Sequence, residues 1–581
     1  MAEFNNPQQE PGMERRLLIV FALTFLVIML FQPLLKKYGS QPPAKTESSQ
    51  PASPNQAQFP TPAAPSQSST SAGNTSTKTT AVQAAAESDT VIENAVYRIV
   101  FTNRGGRVKS WTLKKYTDDK GGPLELVNSQ AAEKYGYPLT LWSYDETLRN
   151  KLNSALYVAT SSAGTAPAEI KFAYADGDVS VQKTYKFDAA SYVVGVETVV
   201  EVNGSQVTAF PMWPAGFGAD LTAPQYATDQ VVYQFNDKVE RLAIKKISGG
   251  GTLQGPLHWG GVSDQYFAAV FLPQDPRNAA LVTLRNPIEI PHGGDSKQMD
   301  KIDVLGAAVG SLRGPTDTRL YVGPKALADL ESVTVPGITG AEPDLRAIID
   351  FGWLGIIARP LFLWLKWMHG HIVANWGWAI LLQTLIINLA LLPLRLSQMK
   401  SMLKMQRVAP QIKQLQEKYK KYSLRDPEKA KMNEEISALY KKEGVNPAGG
   451  CLPLLIQMPF LFAYYRMLNV AMDLRHASWL WIKDLSAPDP HYILPIAIVV
   501  TMFFMQRMTP QGGMDPAQQK MMNLMMPVFM GYISFNLPAG LGLYWAMGQL
   551  IGIVQQTALN RSSLGREMRE MMAKRARKKE K

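Results

Sequence analysis

"LLQTLIINLALLPLRLSQMKSMLKM", Leu381–Met405, begins as a mostly apolar run, closes in one arginine and two lysines, and holds Asn388 inside the apolar part. An apolar run of this kind, ended abruptly by positive charge, reads as a membrane span arriving at its cytoplasmic face. An amide inside it either faces a wet cavity with a task or hydrogen-bonds a neighbouring helix. Thr384 precedes Asn388 by one helical turn and shares its face. Arg395, seven residues on, points along that face about 10 Å nearer the cytoplasm.

Outward from this stretch the pattern repeats. Spans are expected at roughly 377–394, 452–472, 492–508, 521–537 and 541–559, a five-span core over 371–560. Before it, "DLRAIIDFGWLGIIARPLFLWLKWMHG" carries Trp353, Trp364 and Trp367, and the indoles predict an interfacial helix over 342–370. The formal net charge of +12 concentrates in Arg395–Lys442 and after Asn560, whereas 473–491 has only Arg475 and Lys483 against three aspartates. Basic blocks that flank apolar runs favour membrane orientation over nucleic-acid binding, and they place both termini and the basic segment in the cytoplasm.

Toward the N-terminus, residues 1–16 form a short cytoplasmic segment and Leu17–Leu35 an uncharged anchor with no A-x-A-like cleavage site after it. Residues 36–90, rich in Pro, Ser, Thr, Ala and Gln, predict a disordered periplasmic linker. Residues 91–336 turn to strand-like alternation. In "VVGVETVVEVNG", Val194, Val196, Thr198, Val200 and Val202 share one face, and "KFAYADGDVSVQKTYKF" predicts a hairpin at Asp176-Gly177. The expected fold class is a polytopic α-helical membrane protein with a large periplasmic all-β sandwich. Cys451 is the one cysteine, which excludes an intramolecular disulfide and a paired-cysteine zinc site.

Between the first two core spans, residues 396–444 predict a helical hairpin. Val408, Ile412, Leu415, Tyr419 and Tyr422 make a four-three apolar seam, which Met432, Ile436 and Leu439 continue. Asp426 caps the second helix, Pro427 opens it and Gly444 ends it, while Pro410 either kinks the first helix or restarts it. Lys413, Lys418, Lys420 and Lys421 make its charged face a docking surface, set against the plainer reading of a solvated connection.

Immediately after the hairpin, "NPAGGCLPLLIQMPFLFAYYRML" resembles the NP-x-GGC-x-P-x-L-x-Q-x-P signature of the YidC/Oxa/Alb membrane protein insertase family, with Asn446, Pro447, Gly449, Gly450, Cys451, Pro453, Leu455, Gln457 and Pro459 in place. The anchor, linker and β domain, with "NRGGRVKSW", "WGGVSDQYFAAVFLP" and "YVGPK", are similar to its Gram-negative-type members. The resemblance implies a membrane protein insertase and folding chaperone of the inner membrane, working alone or with the Sec translocon, without nucleotide hydrolysis, enzymatic catalysis, metal or cofactor. Consistently, no G-x-x-x-x-G-K-[ST] loop is present and His369-x-His371 suits an interface better than a metal. The implied partners are nascent membrane proteins, the Sec translocon (SecYEG, SecDF), the lipid bilayer, and, through the basic hairpin and the 561–581 tail, the ribosome and signal recognition receptor.

The resemblance further implies an amphiphilic substrate groove. The family's arginine, five residues before Pro393, is replaced here by Asn388, which leaves Arg395 or Arg466 as substitutes. Thr384, Asn388, Arg395, Gln457, Arg466, Tyr544 and Trp545 are the candidate groove residues. The methionines around Met502–Met530 suit either repacking against varied substrates or gap filling in lipid. A solute transporter and a scaffold acting through its β domain are the competing readings. The absence of an evident repeat counts against the first.

Overall fold

The computed structural model describes residues 81–118, 121–162, 168–218, 228–292, 295–338, 344–419, 422, 426–444, 452–508, 516–563 and 566. The anchor, the linker before residue 81, the tail beyond 566, and Lys420, Lys421, Asn446, Pro447, Gly449, Gly450 and Cys451 lie outside them. The chain divides into two units, Lys36–Ile348 and Met1–Leu35 with Ile349–Lys581.

The first unit is a β-sandwich built from antiparallel pairs. Its largest sheet has ten strands and runs Lys238–Ala243, Gln230–Phe235, Leu257–Ser263, Phe267–Pro273, Thr316–Pro324, Val193–Val202, Val179–Phe187, Ala168–Asp176 and Val158–Ser161, with Ser205–Gln206 beside Val193–Val202. A four-stranded sheet, which includes Tyr97–Thr102 and Arg107–Thr117, and a five-stranded sheet, which includes Phe210–Trp213, complete it. Phe101 of the four-stranded sheet stacks on Tyr185 of the ten-stranded one at 5.2 Å, and Trp111 meets Trp213 of the five-stranded one at 6.1 Å. Large aromatic faces thus join all three sheets across one core.

Alternation in sequence becomes alternation in burial: Val194, Val196, Thr198 and Val200 point inward and the residues between them do not. Ala168–Asp176 pairs with Val179–Phe187 from Asp176↔Val179 outward, so the connecting turn is Gly177-Asp178, one residue later than expected, with Gly177 at φ +61. The three β-domain motifs are structural. Gly105 of "NRGGRVKSW" sits at φ +71, where a Cβ would come 2.7 Å from the Asn153 carbonyl oxygen. The buried Lys183 ammonium donates to the Gly105 and Leu139 carbonyls at 2.6 and 3.0 Å. "WGGVSDQYFAAVFLP" supplies two fully buried central strands, and Lys325 of "YVGPK" donates to the Asp264 carbonyl in the turn between them. Among the described residues three short helices, α1 (Ser129–Tyr135), α2 (Glu146–Ser154) and α3 (Leu327–Glu331), accompany the strands.

The second unit is helical: α4 (Gly355–His371), α5 (Trp376–Ala390), α6 (Leu392–Lys418), α7 (Pro427–Lys442), α8 (Leu452–Val470), α9 (Ile493–Met508), α10 (Pro516–Ser534) and α11 (Ala539–Arg561). Asn375 caps α5 by accepting from the Gly377 and Trp378 amides. Gly377 is required there, since a Cβ would come 2.3 Å from the Trp479 ring.

One expectation changes. The first core helix is interrupted at Leu391, one residue before α6 opens with a proline in its first turn. The helical register that put Arg395 on the face of Asn388 is therefore not continuous. Among the described residues no helix is long and apolar enough to cross a membrane. α5 has 15 residues and α9 has 16, rises of about 22 and 24 Å against a hydrocarbon core of about 30 Å. α8 and α10 carry interior prolines, and the longer α11 is diluted by glycines and glutamines.

Candidate functional site

α5 turns three polar side chains, Gln383, Thr384 and Asn388, inward, while Ile386 and Leu389 face out. A helix that is apolar outside and polar inside reverses the order found in water-soluble proteins. The Thr384 hydroxyl donates to the Ile380 carbonyl at 2.7 Å, and the Asn388 amide to the Thr384 carbonyl at 2.7 Å. Both thus satisfy a donor within their own helix. The Asn388 Nδ2 lies 4.0 Å from where a Cβ on Gly548 of α11 would stand, so this amide rests against a neighbouring helix.

Gln383 reaches further. Its Nε2 donates to the Leu361 carbonyl of α4 at 2.9 Å, and its Oε1 accepts from the Tyr464 hydroxyl of α8 at 2.8 Å. The Tyr464 ring stacks on Tyr544 of α11 at 4.1 Å with an interplanar angle of 17°. Thr384, Asn388 and Tyr544 are therefore all buried where α5, α8 and α11 meet, and Trp545 is half-buried next to Tyr544.

Arg466 points elsewhere. Its guanidinium donates to the carbonyl of Asp350 at 3.0 Å and to its carboxylate at 3.1 Å. Arg395 lies on α6, Pro453 and Gln457 lie on α8, and Pro459 sits half-buried inside α8. Sequence reasoning missed Gln383, Tyr464 and Asp350. Gln383 had a visible signal, a second amide one residue before Thr384 in an apolar run.

In the α6–α7 hairpin, Val408, Ile412, Tyr419, Met432 and Ile436 form the buried seam, with Leu415, Tyr422 and Leu439 packed against it. Asp426 caps α7 by accepting from the Glu428 amide, and α6 runs through Pro410 without restarting. Lys413 and Lys418 are exposed on its face. Lys418 approaches Glu435 at 3.6 Å and lies 4.8 Å over the Tyr419 ring, contacts that raise its ammonium above the ordinary lysine value, the hydrogen bond to Tyr419 first. His369 stacks on Trp376 at 3.9 Å and His371 on Trp367 at 5.4 Å. Among the described residues no group of His, Cys, Asp and Glu could hold a metal ion.

Residues 89–364 match the family described as the YidC periplasmic domain, and residues 367–566 match the 60Kd inner membrane protein family. Over 501 residues the chain is 33% identical to the membrane protein insertase YidC of Syntrophus aciditrophicus (strain SB), covering 82% of this chain and 86% of that one. The chain belongs to the YidC family. A second YidC, from Geobacter sulfurreducens, is 34% identical over 494 residues, 81% of this chain and 86% of its own. A solved structure of an active YidC insertase with its first transmembrane domain resolved is 18% identical, with a TM-score of 0.36, and covers 84% of this chain and 95% of that one. Within the YidC frame the β-sandwich falls in the periplasmic-domain match, and α5 to α11 in the inner-membrane match.

Proposed function

We propose that this chain is a membrane protein insertase and folding chaperone that moves segments of nascent membrane proteins into the inner membrane along the α5–α8–α11 face. The observation that carries the reading is the inward polar cluster of Gln383, Thr384 and Asn388 on α5, whose outer face carries Trp378, Ile386 and Leu389. On α9, Ile493, Ile496, Val500 and Phe504 form an exposed stripe, and on α10 Leu524, Met525, Val528, Phe529 and Tyr532 form another. Exposed apolar stripes of this extent fit contact with lipid. Polar groups in the bundle interior would ease the passage of a substrate's polar end while its apolar part slides into the bilayer.

In this reading α5 with the first turns of α6, and α8 to α11, make up the five-span core. The uneven distribution of Lys and Arg puts the α6–α7 hairpin and both termini in the cytoplasm and the β-sandwich in the periplasm. The family-motif segment from Asn446 to Pro459, with Gln457, joins hairpin to core. The hairpin, with Lys413, Lys418, Lys420 and Lys421, is a docking surface for the ribosome or signal recognition receptor. The Sec translocon is a partner, and no nucleotide is consumed. Arg395 remains the basic residue at the cytoplasmic mouth of the groove.

Site-specific photocrosslinking from position 545 tests the path. Capture of the apolar segment of an inserting substrate is expected. Capture from the hairpin alone, with none from position 545, would remove α11 from the path.

A further inference from the structure

In the helical unit, the buried side chain of Gln383 bridges two neighbouring helices. Its carboxamide is fully buried, and it donates to one helix and accepts from another. Glutamine suits this position because one side chain must supply both an N–H and a C=O at opposite edges, which an ionised carboxylate or a hydroxyl cannot do at this reach. The donor half meets the Leu361 carbonyl, an acceptor inside α4 with a lone pair to spare. The acceptor half holds the Tyr464 hydroxyl, and so fixes the direction of a ring whose face lies 4.1 Å from Tyr544.

We propose that Gln383 is a positioning residue of the insertion path: it ties α4, α5 and α8 at one point and, through Tyr464, holds the Tyr544 ring in the orientation the passing segment meets. The inference rests on the insertase reading above, in which Tyr544 lines the path. Without the amide, Tyr464 can turn about its ring axis and tilt, and Tyr544 loses the flat partner that sets its own tilt. A shift of a contact group by a fraction of its own width is enough to alter the rate of a step that depends on orientation.

A plain structural brace makes a different prediction, and paired substitutions separate the two. Gln383→Leu takes away the 2.8 Å acceptor of the Tyr464 hydroxyl, and Tyr464→Phe leaves the Gln383 carbonyl unpaired, so each single variant melts lower. The double variant Gln383→Leu/Tyr464→Phe removes both polar ends, and its melting temperature returns to within about 2 °C of wild type. Insertion of a single-span substrate into liposomes holding the purified full chain is then measured per folded, monodisperse molecule. The double variant and both single variants should insert about tenfold more slowly than wild type. Wild-type rates per folded molecule in any of the three would overturn the positioning role and leave a brace. Failure of the wild type itself to insert would instead count against the insertase reading.

Discussion

Arg466 on α8 donates to the carboxylate of Asp350 at 3.1 Å, across 116 positions of sequence, with less than a quarter of either side chain exposed. The pair ties α8 to the segment that leads into α4, and a guanidinium held this way has little reach toward Asn388. Arg466→Leu should lower stability by about 1–3 kcal/mol, because it leaves a half-buried carboxylate without its charged partner. Melting in detergent measures this. Insertion of acidic and neutral translocated segments should fall in equal proportion. A selective loss for acidic segments would restore Arg466 as the groove charge.

Asn388 is buried against Gly548, so its neighbourhood admits small changes and refuses large ones. Gly548→Ala places a methyl group at ordinary contact distance and should keep wild-type yield. Asn388→Arg must push α5 from α11 or bury an unpaired charge, and should reduce the monodisperse fraction after purification by at least about half. Wild-type yield for Asn388→Arg would mean that water reaches this depth.

The α6–α7 seam was legible in advance because its contacts are local: Val408, Ile412, Met432 and Ile436 announce themselves by spacing alone. Strand alternation in Val193–Val202 was legible for the same reason. The polar site was only half visible. Gln383 stood in the opening stretch, but its partners lie 22 and 81 positions away, and no local pattern encodes which helix will offer a hydroxyl. The Leu391 interruption defeated the projection from Asn388 to Arg395, since a periodic argument assumes an unbroken helix.

Met432 is fully buried in the hairpin seam. Met432→Ala removes most of that side chain and should destabilise the hairpin by about 2–5 kcal/mol. Trypsin, with lysines on both helices to cut, should nick the variant between α6 and α7 faster than wild type. Unchanged cleavage would mean that the seam contributes little to holding the helices together.

Asp229 is buried in the β-sandwich, and its Oδ2 has no hydrogen-bond partner. Burial first, and the nearby Asp264 charge second, push its carboxyl well above the usual carboxylate range. The folded state therefore keeps the proton while the unfolded chain releases it above about pH 4. Stability associated with this group is fully present below that pH and is lost as pH rises toward the folded value. Asp229→Asn should raise the melting temperature of the full chain, and the gain should be larger at pH 8 than at pH 4. An equal effect at both would show that the carboxyl ionises in the fold.

The central claim is that this chain alone, without nucleotide, carries a membrane segment into a bilayer. The direct measurement is protease protection of a small single-span protein with an acidic translocated end, added to nucleotide-free liposomes that contain only the purified, correctly oriented chain. Protection above that of empty liposomes is the predicted result. Protection no greater than in empty liposomes, with the chain folded, would contradict the claim and leave the protein a chaperone or scaffold that depends on the Sec translocon.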